Sequence, residues 1–176
     1  MVDSNNTASR SARPGPTPWD VALRLLGVRA RSRAEMRQRL QQRGFTSDEI
    51  ETTMGRLEKA DLLNDADFAT EWVRSRHATS SRGQLALKRE LRTKGIADDL
   101  AAEALSQIEP EDERASALAL ARKKLNVSGE DLHDHALRSK AYRRLAGALG
   151  RRGFPPDVIG SVVKEVLDEA RATDRA

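Results

Sequence analysis

Cysteine is missing from all 176 residues. That removes a disulfide framework and any thiolate-bound metal, and it fits a reducing, cytoplasmic setting. Aromatic residues are scarce: three Phe, two Trp and one Tyr. With so few large rings one deep core is hard to fill, so several shallow cores are expected. Long apolar runs are absent too, the best being a few residues such as Ala117 to Ala121. The sequence therefore offers no membrane span, and its first residues lack the apolar stretch of a secretory signal. Between Pro18 and Pro110 there is no proline, and no alternating apolar stretch is long enough for a strand. The body reads as helix. No nucleophile elbow, phosphate loop or dinucleotide-binding glycine pattern occurs. The expectation is a protein that is not an enzyme and carries no cofactor and no metal.

What is present is a phrase written three times. Residues 40–45 read LQQRGF, 91–96 read LRTKGI and 149–154 read LGRRGF. A glycine just past a helix end takes the left-handed conformation, and the residue after it packs back onto the residue five positions earlier. Leu40 and Phe45 have that spacing, as do Leu91 and Ile96, and Leu149 and Phe154. Gly44, Gly95 and Gly153 thus read as the stops of three equivalent helices. Four residues before each leucine stands another large apolar residue: Met36, Leu87 and Leu145. Beyond the glycines, at plus six, ten and thirteen, come Ile50, Met54 and Leu57, then Ala101, Leu105 and Ile108, then Ile159, Val163 and Val166. That is one helical face repeated. The SRAE and SRGQ runs at 32–35 and 81–84 fit capping boxes started by Ser32 and Ser81.

One more helix precedes each pair. Residues 20–30 offer Val21, Leu25 and Val28 as an inner face. Residues 65–78 offer Phe68, Trp72 and Val73 behind an Asn64 or Asp65 cap, and 112–125 offer Ala115, Leu118 and Leu125. The expected fold is all-α: three tandem three-helix repeats in an elongated, curved array. The expected boundaries are a disordered tail over 1–18 and repeats over 19–64, 65–110 and 111–176. The third repeat carries an insertion, NVSGEDLHDH, between its first two helices. His133 and His135 within it read as part of a solvated loop, and His77 as an ordinary helix-end residue. Trp19 reads as a local anchor.

A formal charge of +4 hides a strong pattern. Residues 21–43, 68–95 and 113–152 hold seven, seven and ten Lys or Arg against one, two and four Asp or Glu. Residues 44–67, 96–112 and 153–170 hold two, none and one against seven, six and four. The first two helices of each unit are basic and the third is acidic. Two readings stand. Basic and acidic helices neutralise one another, with cations also favoured at helix C-termini. Alternatively the cations align into a strip facing an extended acidic or nucleic-acid-containing partner. The candidate partner-binding set is Arg33, Arg37, Arg43, Lys88, Arg89, Arg92, Lys94, Arg143, Arg144, Arg151 and Arg152. Major-groove reading by the third helices is disfavoured, because phosphates would repel them.

The segments RLLGVRARSRAEMRQRLQQRGF, LEKADLLNDADFATEWVRSR, LKRELRTKGI and LGRRGFPPDVI resemble the RecX regulators of bacterial recombination. The resemblance covers roughly residues 20–168. It implies a modular helical protein that binds the recombinase RecA, chiefly the RecA–single-stranded DNA filament along its groove. It further implies inhibition of RecA ATPase, strand exchange and coprotease activities. Separately, three tandem units with small cores are expected to form an elongated monomer. The family often has glycine where Asp61 stands, and aspartate tolerates the left-handed region better than most residues. An autonomous, non-specific DNA-binding protein is the alternative; the acidic third helices and scarce aromatic platforms count against it.

Overall fold

The computed structural model describes residues 15–173, all helix and turn. Nine α-helices run in order: α1 Pro18–Val28, α2 Arg33–Gln41, α3 Ser47–Lys59, α4 Asp65–Ser80, α5 Gln84–Thr93, α6 Asp98–Leu105, α7 Pro110–Lys124, α8 His135–Arg152 and α9 Pro156–Thr173. A short 3-10 turn, Glu130–His133, precedes α8. Most of the expected tail lies outside the described residues. Its last two, Thr17 and Pro18, belong to α1: Thr17 and Asp20 form a reciprocal capping box and proline opens the helix.

Helices α1–α3, α4–α6 and α7–α9 pack within their own triplets, and each triplet has its own core. Val21, Met36, Leu40, Ile50, Met54, Leu57 and Leu63 fill the first. Phe68, Val73, Leu87, Leu91, Ile96, Ala101 and Leu105 fill the second. Leu120, Leu145, Leu149, Phe154, Val163, Val166 and Leu167 fill the third. Each large side chain so buried contributes about 1.5–3 kcal/mol, which small cores must multiply over many residues.

The three repeated glycines are left-handed, with φ of 84°, 73° and 82° at Gly44, Gly95 and Gly153. Ile96 N–H donates to Leu91 O at 3.1 Å and Phe154 N–H to Leu149 O at 3.3 Å, the six-to-one bonds of the expected stop. Asp61 is left-handed as well, φ 54°, and Leu62 N–H donates back to Leu57 O at 2.9 Å. The turn survives without glycine there.

Several local expectations fail for identifiable reasons. Val28 is 77% exposed because α1 ends beside it and the inner face turns instead through Val21 and Ala22. In α7 the buried face is Ala117, Leu120 and Ala121, so Ala115 is exposed. The apolar residues there satisfy two adjacent registers, and packing against α9 selects one. Ser81 does not cap α5. It is the left-handed end of α4, φ 45°, and Gly83 occupies the cap. The insertion is not all solvated, since Leu132 is 1% exposed and completes the third core. His77 is a joint residue: its Nδ1 meets Arg82 O at 2.9 Å and its Nε2 meets Ser116 Oγ of the next unit at 3.3 Å.

The units join end to end through their middle helices. Ser32, at the start of α2, donates its hydroxyl to Lys94 O at 2.6 Å, at the end of α5. Gly83, at the start of α5, donates its N–H to Arg152 O at 2.9 Å, at the end of α8, and Leu85 N–H donates to Gly153 O at 3.0 Å. In both joints the next unit's first helix adds a carboxylate that accepts an otherwise unpaired N–H. Asp65 Oδ1 takes Arg33 N–H at 2.9 Å and Glu113 Oε1 takes Gln84 N–H at 2.8 Å. The positive N-terminus of one middle helix therefore meets the negative C-terminus of the next. Gly95 and Gly153 are pressed into these joints. A Cβ on Gly153 would stand 2.3 Å from Ala86 N, and one on Gly95 would stand 2.4 Å from Ala34 Cβ. Gly44 has nothing within 4 Å of that position among the described residues.

Candidate functional site

The acidic third helices of units one and three are largely tied to their own units, whereas on α6 only Asp98 has an ion-pair partner among the described residues. Arg33 pairs with Glu58 at 2.7 Å and Arg37 with Glu51 at 2.8 Å, tying α2 to α3. Arg122 holds Glu169 at 2.8 Å, Arg138 holds Asp168 at 2.7 Å, and Arg114 pairs with Glu165, all onto α9. Hydrogen bonds from these arginines hold the Glu51, Asp168 and Glu169 carboxyls below their usual range. Neutralisation thus accounts for Arg33, which stands at the first position of α2 and not mid-helix, and for Arg37 within it, two cations that helix-end electrostatics does not favour.

The other candidate residues divide three ways. Lys94 and Arg152 sit in the joints. Lys94 Nζ pairs with Glu35 and lies 4.7 Å from the Trp72 ring centre, while Arg152 donates to Ser80 O. Burial pulls the Glu35 carboxyl up, but hydrogen bonds from Arg29 and Lys94 outweigh it and bring the pKa down to about 2. Arg92 makes a loose exposed pair with Asp98 at 3.5 Å, and Arg144 donates to Lys124 O at 3.0 Å. Arg43, Lys88, Arg89, Arg143 and Arg151 are exposed, and among the described residues no carboxylate lies within ion-pair distance of them.

Three cations that sequence reasoning passed over join this last group. Lys123 and Lys124 close α7, and Lys140 lies on α8; all three are exposed and without an ion-pair partner among the described residues. Lys140, Arg144 and Arg151 share one face of α8. Gly147 lies between them with Arg151 folded back over it, its Nη1 3.3 Å from where a Cβ would stand. The RKK run at 122–124 was the available signal, masked because cations are expected at any helix end. Tyr142, 40% exposed, stands beside a shallow cavity lined also by His135, Arg138, Ser139 and Arg143. Exposed cations without an ion-pair partner among the described residues also stand on unit one, at Arg24, Arg39, Arg43, Arg56 and Lys59; those on α5 and α8 lie on helices that abut at Gly83 and Arg152. Among the described residues no group of three His, Asp or Glu side chains is placed to hold a metal ion, and no helix is long and apolar enough to cross a membrane.

Comparison with known proteins assigns this architecture. Residues 19–57 match the model for the first three-helix domain of RecX, and residues 64–105 match that for the second. The Regulatory protein RecX of Mycobacteroides abscessus is 50% identical over 149 residues, 85% of this chain and 71% of that protein. The chain belongs to the RecX family. The Regulatory protein RecX of Amycolatopsis mediterranei is 42% identical over 150 residues, 85% of this chain and 83% of its own. The crystal structure of RecX from Lactobacillus salivarius matches with a TM-score of 0.74 at 28% identity, covering 86% of this chain and 95% of that one. The all-α tandem architecture is therefore the RecX fold, and the left-handed Asp61 turn and the end-to-end joints are features of a RecX chain.

Proposed function

We propose that this chain regulates the RecA recombinase, binding RecA and the RecA–single-stranded DNA filament along its groove and slowing ATP turnover, strand exchange and coprotease activity, without an enzymatic step of its own. The observation that carries the reading is the surplus of unpaired cations along the abutting helices α5 and α8, in a chain whose relatives are named regulatory proteins. A filament groove is a long, repeating surface lined partly by phosphate. An array of linked modules engages successive positions on it, and weak contacts multiply through effective concentration. Wedged there, the array opposes the motions that accompany hydrolysis.

The test is ATPase activity of RecA on single-stranded DNA at fixed salt, with this chain titrated in. Activity should fall with added protein. A variant carrying Lys88→Gln, Arg89→Gln, Arg143→Gln and Arg151→Gln should inhibit weakly while keeping its helical circular dichroism. Naked DNA titrated in parallel separates the alternative. Equal affinity for naked DNA and for the filament, with no effect on ATPase, would make the chain an autonomous DNA-binding protein.

A further inference from the structure

The joint between units two and three holds an open depression of about 280 Å³, room for roughly nine water molecules. Thr79, Ser80 and Ser81 line it from the end of α4, and Lys123, Lys124 and Arg152 from α7 and α8. No carboxylate is among its lining residues. Three helix C-termini converge here, so the first account of the cations is that they answer the exposed carbonyls. The hydrogen bonds argue otherwise. Ser80 O is taken by Arg152, Lys124 O by Arg144 and Arg152 O by Gly83 N–H. Ala121 O and Arg122 O are both taken by Leu125 N–H. Neither lysine ammonium donates to any of these carbonyls, and several of them are taken by other donors. The Thr79 hydroxyl donates back to Ser75 O. The ammonium groups of Lys123 and Lys124 and the Ser81 hydroxyl have no protein acceptor among the described residues, and all line one depression. A lining of unspent donors and surplus positive charge calls for a ligand that is only an acceptor and is negative.

We propose that this depression binds a phosphate oxyanion, supplied either by free phosphate or by a nucleic-acid backbone. Because its lining comes from both units, an occupant ties unit two to unit three. The site does not depend on RecA. Its position beside the Arg144 and Arg151 face of α8 suits a strand passing from that face across the joint.

The experiment uses the full chain, the variant Lys123→Gln/Lys124→Gln, and a control, Arg24→Gln/Lys59→Gln, which removes two exposed cations from unit one. Melting is followed by circular dichroism with inorganic phosphate or pyrophosphate against chloride of equal ionic strength. Fluorescence anisotropy follows a labelled oligothymidylate over a range of salt. The expected result is phosphate-specific stabilisation, tighter oligonucleotide binding, or both, in wild type and control, and lost in the lysine variant. For the oligonucleotide, the loss should be several-fold in affinity, with the log–log salt slope reduced by about 0.7 for each phosphate contact removed. Stabilisation by free phosphate alone identifies the small anion as occupant, and lysine-dependent oligonucleotide binding alone identifies the backbone. If phosphate does no more than chloride and the oligonucleotide binds the lysine variant as tightly as the control, the proposal is overturned.

Discussion

Alanine in place of glycine at each repeated helix stop probes the joints one at a time, because the three positions share a backbone conformation and differ in surroundings. At Gly44 the penalty is the left-handed φ, about 1–2 kcal/mol for an L residue, since nothing among the described residues lies within 4 Å of the new methyl. At Gly153 the methyl would meet Ala86 N at 2.3 Å and Ala86 Cβ at 2.4 Å. Backbone cannot step aside there without pulling α5 from α8. The bonds Gly83 N–H to Arg152 O and Leu85 N–H to Gly153 O are then lost, each worth about 0.5–1.5 kcal/mol. The total is about 2–5 kcal/mol. Gly95 falls between, because its methyl meets only the Cβ of Ala34, whose Cα is 3.9 Å away. Urea unfolding followed by circular dichroism should rank the losses Gly44→Ala, then Gly95→Ala, then Gly153→Ala. The second site offers a sharper check. Adding Ala34→Gly to Gly95→Ala removes the clashing atom and should recover the loss down to the φ penalty, less the small helix cost of the new glycine. Equal losses at all three sites, or no recovery in the double variant, would refute the end-to-end joint.

Glu35 makes the joint between units one and two acid-sensitive. Its pKa lies near 2 in the folded chain against a reference of 4.5. The ion pair's stabilisation, at most about 3 kcal/mol, is complete above the reference value and disappears as pH falls through the folded one. Trp72 touches Lys94 and also donates its indole N–H to Glu90 at 3.0 Å, so in a Trp19→Phe, Glu90→Gln background its fluorescence should change over that window, and not when Glu35→Gln is added. The pairs Arg33→Gln and Arg37→Gln should each lower stability by about 1 kcal/mol or less, because both are partly exposed. They should leave RecA inhibition near wild type, whereas Lys88→Gln with Arg89→Gln should weaken it; the reverse pattern would place the contact surface on unit one. Asp61→Gly should be neutral or stabilising by about 0.5 kcal/mol and Asp61→Val destabilising by more than 1, read from melting curves.

The repeat was legible because it rests on local rules. Glycine after a basic helix end, and apolar residues at helical spacing, mean the same thing wherever they occur. The cores followed from that, down to Met36, Leu87 and Leu145, each 0% exposed. Helix starts were read less well. SRGQ satisfies the capping-box pattern, yet Ser81 ends α4 and Gly83 opens α5, because only a bare Cα fits against Gly153 O, 2.5 Å from where a Cβ would stand. That is a contact between residues 70 apart, invisible to a local pattern. The candidate site was legible as charge but not as charge state. Arg37 and Lys88 look alike in sequence; only packing places Glu51 at 2.8 Å from the first and no carboxylate within ion-pair distance of the second among the described residues.

The joints also give the array a direction of growth. A middle helix that begins with a small cap, as at Ser32 and Gly83, seats on the glycine turn of the following unit. Counted back from Leu145, the matching position in unit three is Ala141, buried inside α8, which runs more than a turn further toward its start. No helix start is left there to seat on anything. At the other extremity nothing among the described residues packs against the Gly44 turn, a landing place of the kind used twice elsewhere. Duplication of a repeat could therefore lengthen such a protein by adding units upstream of the first. It could not do so downstream of the third unless α8 were first shortened.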